Sequence, residues 1–148
     1  MIPRVSYLIK WVERGVRSEL DAALKPLGVT THEYTTLSVL RSRSGLSSAQ
    51  LARRAFVSGQ AMNQLVIALE QRAWIERSAD PSHGKILRAT LTRKGLEVLQ
   101  ACDRASVHIE RLLLAEMNRD QVAMLRKTLE LCANALARKS GLPLEFDA

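Results

Sequence analysis

The chain has 148 residues, of which 47% are hydrophobic and 25% are charged. This composition is typical of a globular domain, and it excludes a disordered chain and a collagen-like repeat. A chain of this length builds its own hydrophobic core without disulfides. Charges interrupt the N-terminal segment, and no apolar run approaches the roughly 18 residues that a membrane span needs. We therefore expect a soluble, unexported protein with no membrane partner.

The two cysteines indicate the compartment. Cys102 and Cys132 lack the close pairing of a zinc ribbon or a redox CxxC motif. Both occupy apolar helical positions, where a free thiol more often behaves as a small buried hydrophobe than as a redox sensor. The sequence therefore predicts a cytoplasmic protein whose cysteines belong to the core.

The net charge of +7 is unevenly distributed along the chain. Residues 1–45 carry seven basic and four acidic residues, residues 46–95 eight and three, and residues 96–148 seven and eight. The positive charge is thus concentrated in the middle segment. A solvated surface explains most charge excesses of this size, so the asymmetry is a modest argument for nucleic acid.

The first predicted element is an amphipathic helix. Its apolar residues recur at three- and four-residue spacing: Val5, Leu8, Ile9, Val12, Val16, Leu20 and Leu24. We expect it to end near Pro26 and Gly28, because proline disfavours helix in the residue before it and glycine suits a C-terminal cap. Thr30 and Glu33 then form a capping box that opens a second helix.

The next segment predicts two helices joined by a tight turn. Residues 47–50 form another capping box, and Leu51, Ala52 and Ala55 point inward from the short helix that follows. After the turn, Ser58 caps a longer helix. Its apolar stripe consists of Met62, Leu65, Val66 and Leu69.

After Leu69 the hydrophobic period changes to that of strands. Residues 74–77 form a short aromatic and β-branched run. Residues 86–91 alternate between two sets of side chains, as expected for the two faces of a strand. The polar, turn-rich residues 78–85 lie between them. We predict a hairpin with an exposed tip, which we call the wing.

Two long helices complete the chain. The first follows Thr92, with apolar positions from Leu96 to Leu113, and the second follows Asn118. The last helix has a regular seam of Val122, Leu125, Leu129, Cys132 and Leu136. One such seam packs readily inside a monomer, but three long amphipathic helices leave more apolar surface than one chain covers. The sequence therefore favours a helical dimer, with an interface containing Val5, Val12, Val122, Leu125, Leu129 and Leu136.

Motifs for catalysis and cofactors are missing from the sequence. There is no glycine-rich or Walker phosphate loop, no Gly-x-Ser-x-Gly elbow, and no cysteine and histidine signature of acyl transfer. The three histidines are not spaced as a local metal site, which leaves ligands that converge in space as a minority alternative. We expect no catalytic residue, metal or cofactor.

One helix face indicates base recognition. Ser58, Gln60, Asn63 and Gln64 lie opposite the apolar stripe, and their amides and hydroxyl can bond base edges in a major groove. A merely solvated face more often carries Glu and Lys, which are missing from residues 58–69. The basic residues around it are expected to hold phosphates. They are Arg53, Arg54, Lys85, Arg88, Arg93 and Lys94.

Nearly the whole chain resembles the MarR-type winged helix-turn-helix transcription regulators. The most specific matches are the stretches LEQRAWIER at 69–77, DPSHGK at 80–85 and LTRKG at 91–95. The segments PLGVT at 26–30 and LSSAQLA at 46–52 also resemble the family. Two positions depart from it: His83-Gly84-Lys85 replaces the usual Asp-x-Arg of the wing, and Ala73 replaces a glycine.

The resemblance implies a DNA interface, and the residues expected there are Ser47, Arg53, Arg54, Ser58, Gln60, Asn63, Gln64, His83, Lys85 and Arg88. The family's wing arginine enters the minor groove. Lys85 keeps the charge but lacks the planar guanidinium, so Arg88 is expected to share this contact.

The resemblance also implies a homodimer, a palindromic operator and, often, a pocket for a small-molecule effector. Tyr7, Trp11 and His32 are the candidates for that pocket, and the alternative is that they pack in the dimer interface or between lobes. The family's oxidant sensors use a cysteine near the first helix, where this chain has none.

Together these features predict a mainly α protein with a small β-hairpin wing. Residues 1–29 and 96–140 are expected to form a helical dimerisation region, residues 30–95 the winged helix-turn-helix, and residues 141–148 a tail. The predicted function is a non-enzymatic, dimeric, ligand-responsive repressor that binds double-stranded DNA. The alternative is a helical protein-interaction module or adaptor whose basic centre binds a protein or serves solubility.

Overall fold

The computed structural model describes residues 1–141, which fold into helices and three short strands. The helices are α1 (Val5–Leu24), α2 (Thr31–Ser42), α3 (Ser48–Arg54), α4 (Gly59–Gln71), α5 (Arg93–Leu113) and α6 (Arg119–Ser140). The strands are β1 (Leu46–Ser47), β2 (Ile75–Ala79) and β3 (Leu87–Leu91). The predicted mainly α fold with a wing is confirmed. Apart from Gly141, which caps α6, the predicted tail lies outside the described residues.

Local capping signals set the helix boundaries. Thr30, Ser47 and Asn118 each form a complete capping box with the Glu or Gln three residues later, and the Ser58 hydroxyl accepts a hydrogen bond from the backbone N–H of Ala61 at 3.1 Å. These contacts satisfy backbone donors that the first helical turn leaves free. All four predicted helix starts are therefore confirmed.

The wing is part of a three-stranded antiparallel sheet in the order β1-β3-β2. In the β2–β3 hairpin Ile75 pairs with Leu91, and on the other edge of β3 Ser47 pairs with Arg88. The hairpin was predicted, but β1 was not, because two residues are too few to display a strand period. The sheet therefore joins the start of α3 directly to the wing.

The chain divides into two compact units, Met1–Ile109 and a unit that begins at Glu110. The first contains the hydrophobic core, whose largest fully buried side chains include Leu24, Leu37, Leu51, Met62, Leu69, Ile75 and Leu99. Each such side chain contributes roughly 1.5–3 kcal/mol on burial. The boundary between the units lies inside α5. The predicted division into a dimerisation region and a DNA-binding region thus stays a prediction.

Close packing fixes the start of α5 against Trp74, the residue before β2. A Cβ atom added to Gly95 would lie 1.9 Å from the carbonyl oxygen of Trp74, so only glycine fits there. Next to it, the Thr92 hydroxyl donates to the Ala73 carbonyl and accepts from the Gly95 N–H, so Thr92 caps the start of α5. This junction therefore fixes the first turn of α5 against the segment that precedes β2.

The two cysteines differ in environment. Cys102 is fully buried, and burial raises the pKa of its thiol, which keeps it in the protonated, unreactive form. Cys132 is exposed on α6. The predicted core position is therefore confirmed for Cys102 and wrong for Cys132, because the seam of α6 is not covered within its own unit. None of the described helices is long and apolar enough to cross a membrane.

Candidate nucleic-acid interface

The helix-turn-helix comprises α3, the turn at 55–58, and α4. Leu51 and Ala52 of α3, and Met62 and Val66 of α4, are buried against each other and the core. This packing leaves the opposite face of α4 exposed, and that face carries the predicted base-reading residues Ser58, Gln60, Asn63 and Gln64. The apolar stripe therefore determines which side chains α4 presents to a ligand.

A side chain from α3 holds Asn63. The Ser48 hydroxyl donates a hydrogen bond of 2.7 Å to the Asn63 amide oxygen. An amide oxygen accepts two hydrogen bonds, so one acceptor site and both N–H donors of Asn63 stay available. Sequence reasoning missed Ser48, which appeared only as a helix-start residue. Its position fixes the side chain best suited to recognise a base edge.

A groove of about 400 Å³ lies between α3, α4 and the wing. Its lining combines Ser47, Ser48 and Asn63 with Lys85 and with apolar side chains such as Val66 and Leu87. The structure thus brings three predicted contact residues, Ser47, Asn63 and Lys85, around one concave surface. The exposed charge of Lys85 makes this surface attractive to phosphate.

Arg88 has partners within the protein. Its Nε donates to Asp80 Oδ2 at 2.6 Å, and its Nη1 donates to the Gly45 carbonyl at 2.8 Å. Asp80 also accepts from the Ser82 backbone N–H at 2.7 Å. The Ser82 N–H and the Arg88 guanidinium hold the pKa of the Asp80 carboxyl below its ordinary value of 3.8. Arg88 therefore fastens the wing to the loop before β1.

The other predicted contact residues vary in exposure. Arg53 and His83 are exposed, and Arg54 is half-buried at the end of α3. Lys85 is exposed at the wing tip, in a turn closed by the hydrogen bond from the Asp80 N–H to the Ile86 carbonyl at 2.8 Å. The tip therefore presents His83 and Lys85 together to solvent.

Two exposed apolar residues escaped the sequence reasoning. Ile67 is exposed on the same face of α4, one turn after Asn63. Phe56 lies in the turn with φ +59° and is 82% exposed. The spacing of seven residues from Gln60 could have placed Ile67 on the exposed face of α4. The left-handed backbone of Phe56 could not be predicted from the sequence, since glycine or asparagine is usual in that conformation.

The C-terminal end of α4 is fixed by Arg72. Its guanidinium lies 3.5 Å from the ring centroid of Trp74, donates to the Gly28 carbonyl at 2.9 Å, and pairs with Glu33 at 3.3 Å. Glu33 is buried and belongs to the capping box of α2. Arg72 therefore connects the base of α4 to the start of α2.

The candidate effector residues lie outside the groove. Tyr7 and Trp11 are exposed neighbours on α1, with ring centroids 6.3 Å apart, and His32 is exposed on the first turn of α2. Their assignment to a pocket stays a prediction. Among residues 1–141, no group of three or more His, Cys, Asp and Glu is arranged to hold a metal ion.

These features define a winged helix-turn-helix protein, and comparisons with known proteins identify its family. Residues 27–86 match the model of the MarR family. The HTH-type transcriptional repressor Rv2887 of Mycobacterium tuberculosis is 36% identical over 126 residues, which cover 85% of this chain and 91% of the repressor. The chain belongs to the MarR family, as its sequence predicted.

Solved structures agree with this assignment. The structure of Rv2887 in complex with salicylic acid has a TM-score of 0.73 and 35% identity, and the match covers 88% of this chain and 97% of that one. The structure of the Rv2887 complex with DNA also has a TM-score of 0.73, with 33% identity, and the match covers 88% of this chain and 98% of that one. Apo MarR from E. coli shares the fold, with a TM-score of 0.80 and 22% identity over 89% and 98% of the chains.

Proposed function

We propose that this chain is a dimeric transcriptional repressor that binds a palindromic DNA operator and responds to a small-molecule effector. The observation that carries the proposal is the exposed face of α4, which is uncharged and, apart from Ile67, polar, with the basic wing tip beside it. Such a face offers paired donors and acceptors to base edges, while Lys85 offers charge to the backbone. The relative Rv2887 is named a repressor and was solved in complex with DNA.

Residue roles follow from the contacts of each side chain. Gln60, Asn63 and Gln64 would read bases, since they are exposed on the early and middle turns of α4. The phosphate or minor-groove group consists of Ser47, Arg53, Arg54, His83 and Lys85, while Ser58 belongs to the base-reading face of α4. Arg88 was expected to share the minor-groove contact, but its bonds to Asp80 and Gly45 support a role in holding the wing.

Apolar exposure on α1 and α6 supports a dimer. Val5 and Val12 on α1, and Leu129 and Leu136 on α6, are all exposed in the single chain. Exposed apolar stripes of this kind mark interaction surfaces. Val122 and Leu125 continue the α6 seam and are half-buried. A second copy of the chain would cover these residues and repeat each DNA contact in a second half-site.

Effector binding is supported by the Rv2887 complex with salicylic acid. An aromatic acid of that class needs an apolar surface and a hydrogen-bond donor or cation. Tyr7, Trp11 and His32 offer aromatic surface and an imidazole, and they are the residues we assign to the effector. Regulation then requires that the effector binds the DNA-free protein more tightly than the DNA-bound protein.

Selection of bound sequences from random duplex DNA tests this proposal. We expect enrichment of a palindrome whose half-site centres are about one helical turn, roughly 34–36 Å, apart. Salicylate added to the purified complex should then release the selected duplex. A variant with Tyr7→Ala and Trp11→Ala should bind the duplex normally and should not respond to salicylate.

The outcomes separate the two functional classes. An enriched palindrome supports a sequence-specific regulator. Failure to enrich any sequence at low salt would contradict it and favour the adaptor, whose basic centre would then bind a protein. A selected palindrome that salicylate does not release would contradict only this class of effector.

A further inference from the structure

The turn between α3 and α4 contains an unusual residue. Phe56 adopts φ +59°, and its side chain is 82% exposed. The left-handed region is unfavourable for a residue with a Cβ atom, and more so for a bulky one. Exposure of a phenyl ring to water is unfavourable as well. Phe56 therefore carries two costs in the free chain and gains no burial in return.

The neighbours of Phe56 do explain the backbone conformation. The Val57 N–H donates to the Ala52 carbonyl at 3.2 Å, and Ser58 caps α4. These bonds fix a tight turn in which the residue at position 56 must have positive φ. Glycine or asparagine would satisfy the same hydrogen bonds with less strain. The geometry of the turn therefore explains the positive φ at this position but not the presence of a phenyl ring.

Phe56 lies in the turn that leads into α4, the helix that the proposed function assigns to DNA, and the inference below rests on that function. Phe56 precedes the N-cap of α4 by two residues, so its Cα is within about 7.6 Å of the Ser58 Cα. Recognition helices of this class place their N-terminal residues in the major groove. The exposed ring would thus lie at the edge of the groove entered by Ser58 and Gln60.

The chemistry of the groove edge identifies the ligand. Bases present polar donors and acceptors in the major groove, and the apolar exception is the C5-methyl group of thymine. An exposed phenyl ring in a turn flanked along the chain by Arg53, Arg54 and Ser58 matches that group and would gain the burial that it lacks in the free protein. We propose that Phe56 is a specificity-determining residue that contacts a thymine methyl group in each half-site of the operator.

The experiment removes either partner of this contact. On the selected duplex, each thymine is replaced in both half-sites by deoxyuridine, which differs only by the missing methyl group. For the parent protein, one symmetric pair of replacements should weaken binding by about fourfold per methyl, or about 15-fold for both half-sites. Phe56→Asn should bind the unmodified duplex more weakly by at least that factor and should not distinguish thymine from deoxyuridine at that position.

Controls separate the contact from folding. Asparagine tolerates the left-handed region, so the melting temperature of Phe56→Asn should be no lower than that of the parent. Ala73 has φ +58° and lies at the other end of α4, so Ala73→Gly relieves the same strain away from the turn. It should keep the parent's affinity and its sensitivity to deoxyuridine. Phe56→Leu, which retains an apolar side chain, should restore part of that sensitivity.

The failure of this inference is distinct from the failure of the proposed function. If the parent selects no DNA sequence, the proposed function fails. If the parent selects a palindrome but Phe56→Asn binds it equally well, or remains equally sensitive to deoxyuridine, the function stands and the methyl contact is overturned.

Discussion

Arg88 and Asp80 form an ion pair at the base of the wing, with Arg88 Nη2 2.5 Å from Asp80 Oδ2. Asp80 directly follows β2 and is only 5% exposed, while Arg88 lies in β3. The same guanidinium also bonds to the carbonyl of Gly45. One side chain therefore joins both arms of the wing to the loop that precedes α3, while Lys85 at the tip extends into solvent.

The first prediction separates the roles of these two basic residues. Arg88→Met should weaken DNA binding because the wing loses its fastening, yet the slope of log K against log salt should stay that of the parent. Lys85→Ala should weaken binding to all sequences alike and lower that slope by about one for each phosphate that is no longer neutralised. Fluorescence anisotropy at several salt concentrations measures both. A slope reduced equally in Arg88→Met would show that Arg88 itself contacts DNA.

The second prediction concerns acid stability. Because the pKa of Asp80 lies below its ordinary value of 3.8 in the folded chain, the folded state binds fewer protons than the unfolded state near that pH. The hydrogen bond from the Ser82 N–H and the ion pair with Arg88 therefore stabilise the fold fully above about pH 4, and this stabilisation is lost as the pH falls through the folded pKa. Asp80→Asn should flatten the decline in melting temperature between about pH 5 and pH 3. An unchanged profile would contradict the role of this pair.

Sequence reasoning succeeded where the determining contacts are local. The capping boxes at Thr30, Ser47 and Asn118 involve residues three apart, so both partners are visible in one stretch of chain. Arg88 donates to the Gly45 carbonyl, which lies 43 residues away in the sequence. Because this partner is not visible locally, the charge of Arg88 alone led to the prediction of a DNA contact. Ser48 bonds to Asn63 across the turn and was missed for the same reason. Contacts made across the tertiary structure explain most of what the sequence did not predict.

A third prediction tests the proposed contact of Asn63 with a base. Asn63→Ala should cost about 1–3 kcal/mol on the selected site and relax preference at one position of each half-site, with the salt slope nearly unchanged. Ser48→Ala removes only the hydrogen bond that orients the amide, so it should cost about 0.5–1.5 kcal/mol and relax the same position. Affinities for single-base variants of the site measure both effects. Equal loss on cognate and random duplex would contradict base reading by Asn63.

The fourth prediction concerns the seam of α6. Leu129→Glu would place a charge in the proposed dimer interface and should raise the dimer dissociation constant at least about 100-fold. Asn134→Glu makes the same change in charge on the opposite, exposed face of α6 and serves as the matched control. Analytical ultracentrifugation measures the dissociation constants, and circular dichroism verifies folding. A folded Leu129→Glu protein that remains as dimeric as the control would exclude the seam as an interface.

The fifth prediction concerns the junction of β2 and α5. Gly95→Ala would bring a methyl group within 1.9 Å of the Trp74 carbonyl oxygen, so the backbone must move. We expect a loss of at least about 1–3 kcal/mol in the free energy of unfolding. Gly15→Ala, in open space within α1, should instead raise that free energy by about 0.5–1 kcal/mol. Urea denaturation measures both, and equal stability of the two variants would refute this packing.

The pairing of Ser47 with Arg88 has a consequence for the length of the operator. It places Ser47, the N-cap of α3, and the strand that carries the wing in one hydrogen-bonded sheet. Buried residues of α3 and α4 share one core, so the sheet and the core together hold α4 and the wing in one arrangement. Under the proposed function, this arrangement sets the spacing, along one half-site, between the bases that α4 would read and the backbone that Lys85 would meet. One base pair inserted between these points lengthens the duplex by about 3.4 Å, and the half-site would then retain one of the two contacts at the expense of the other.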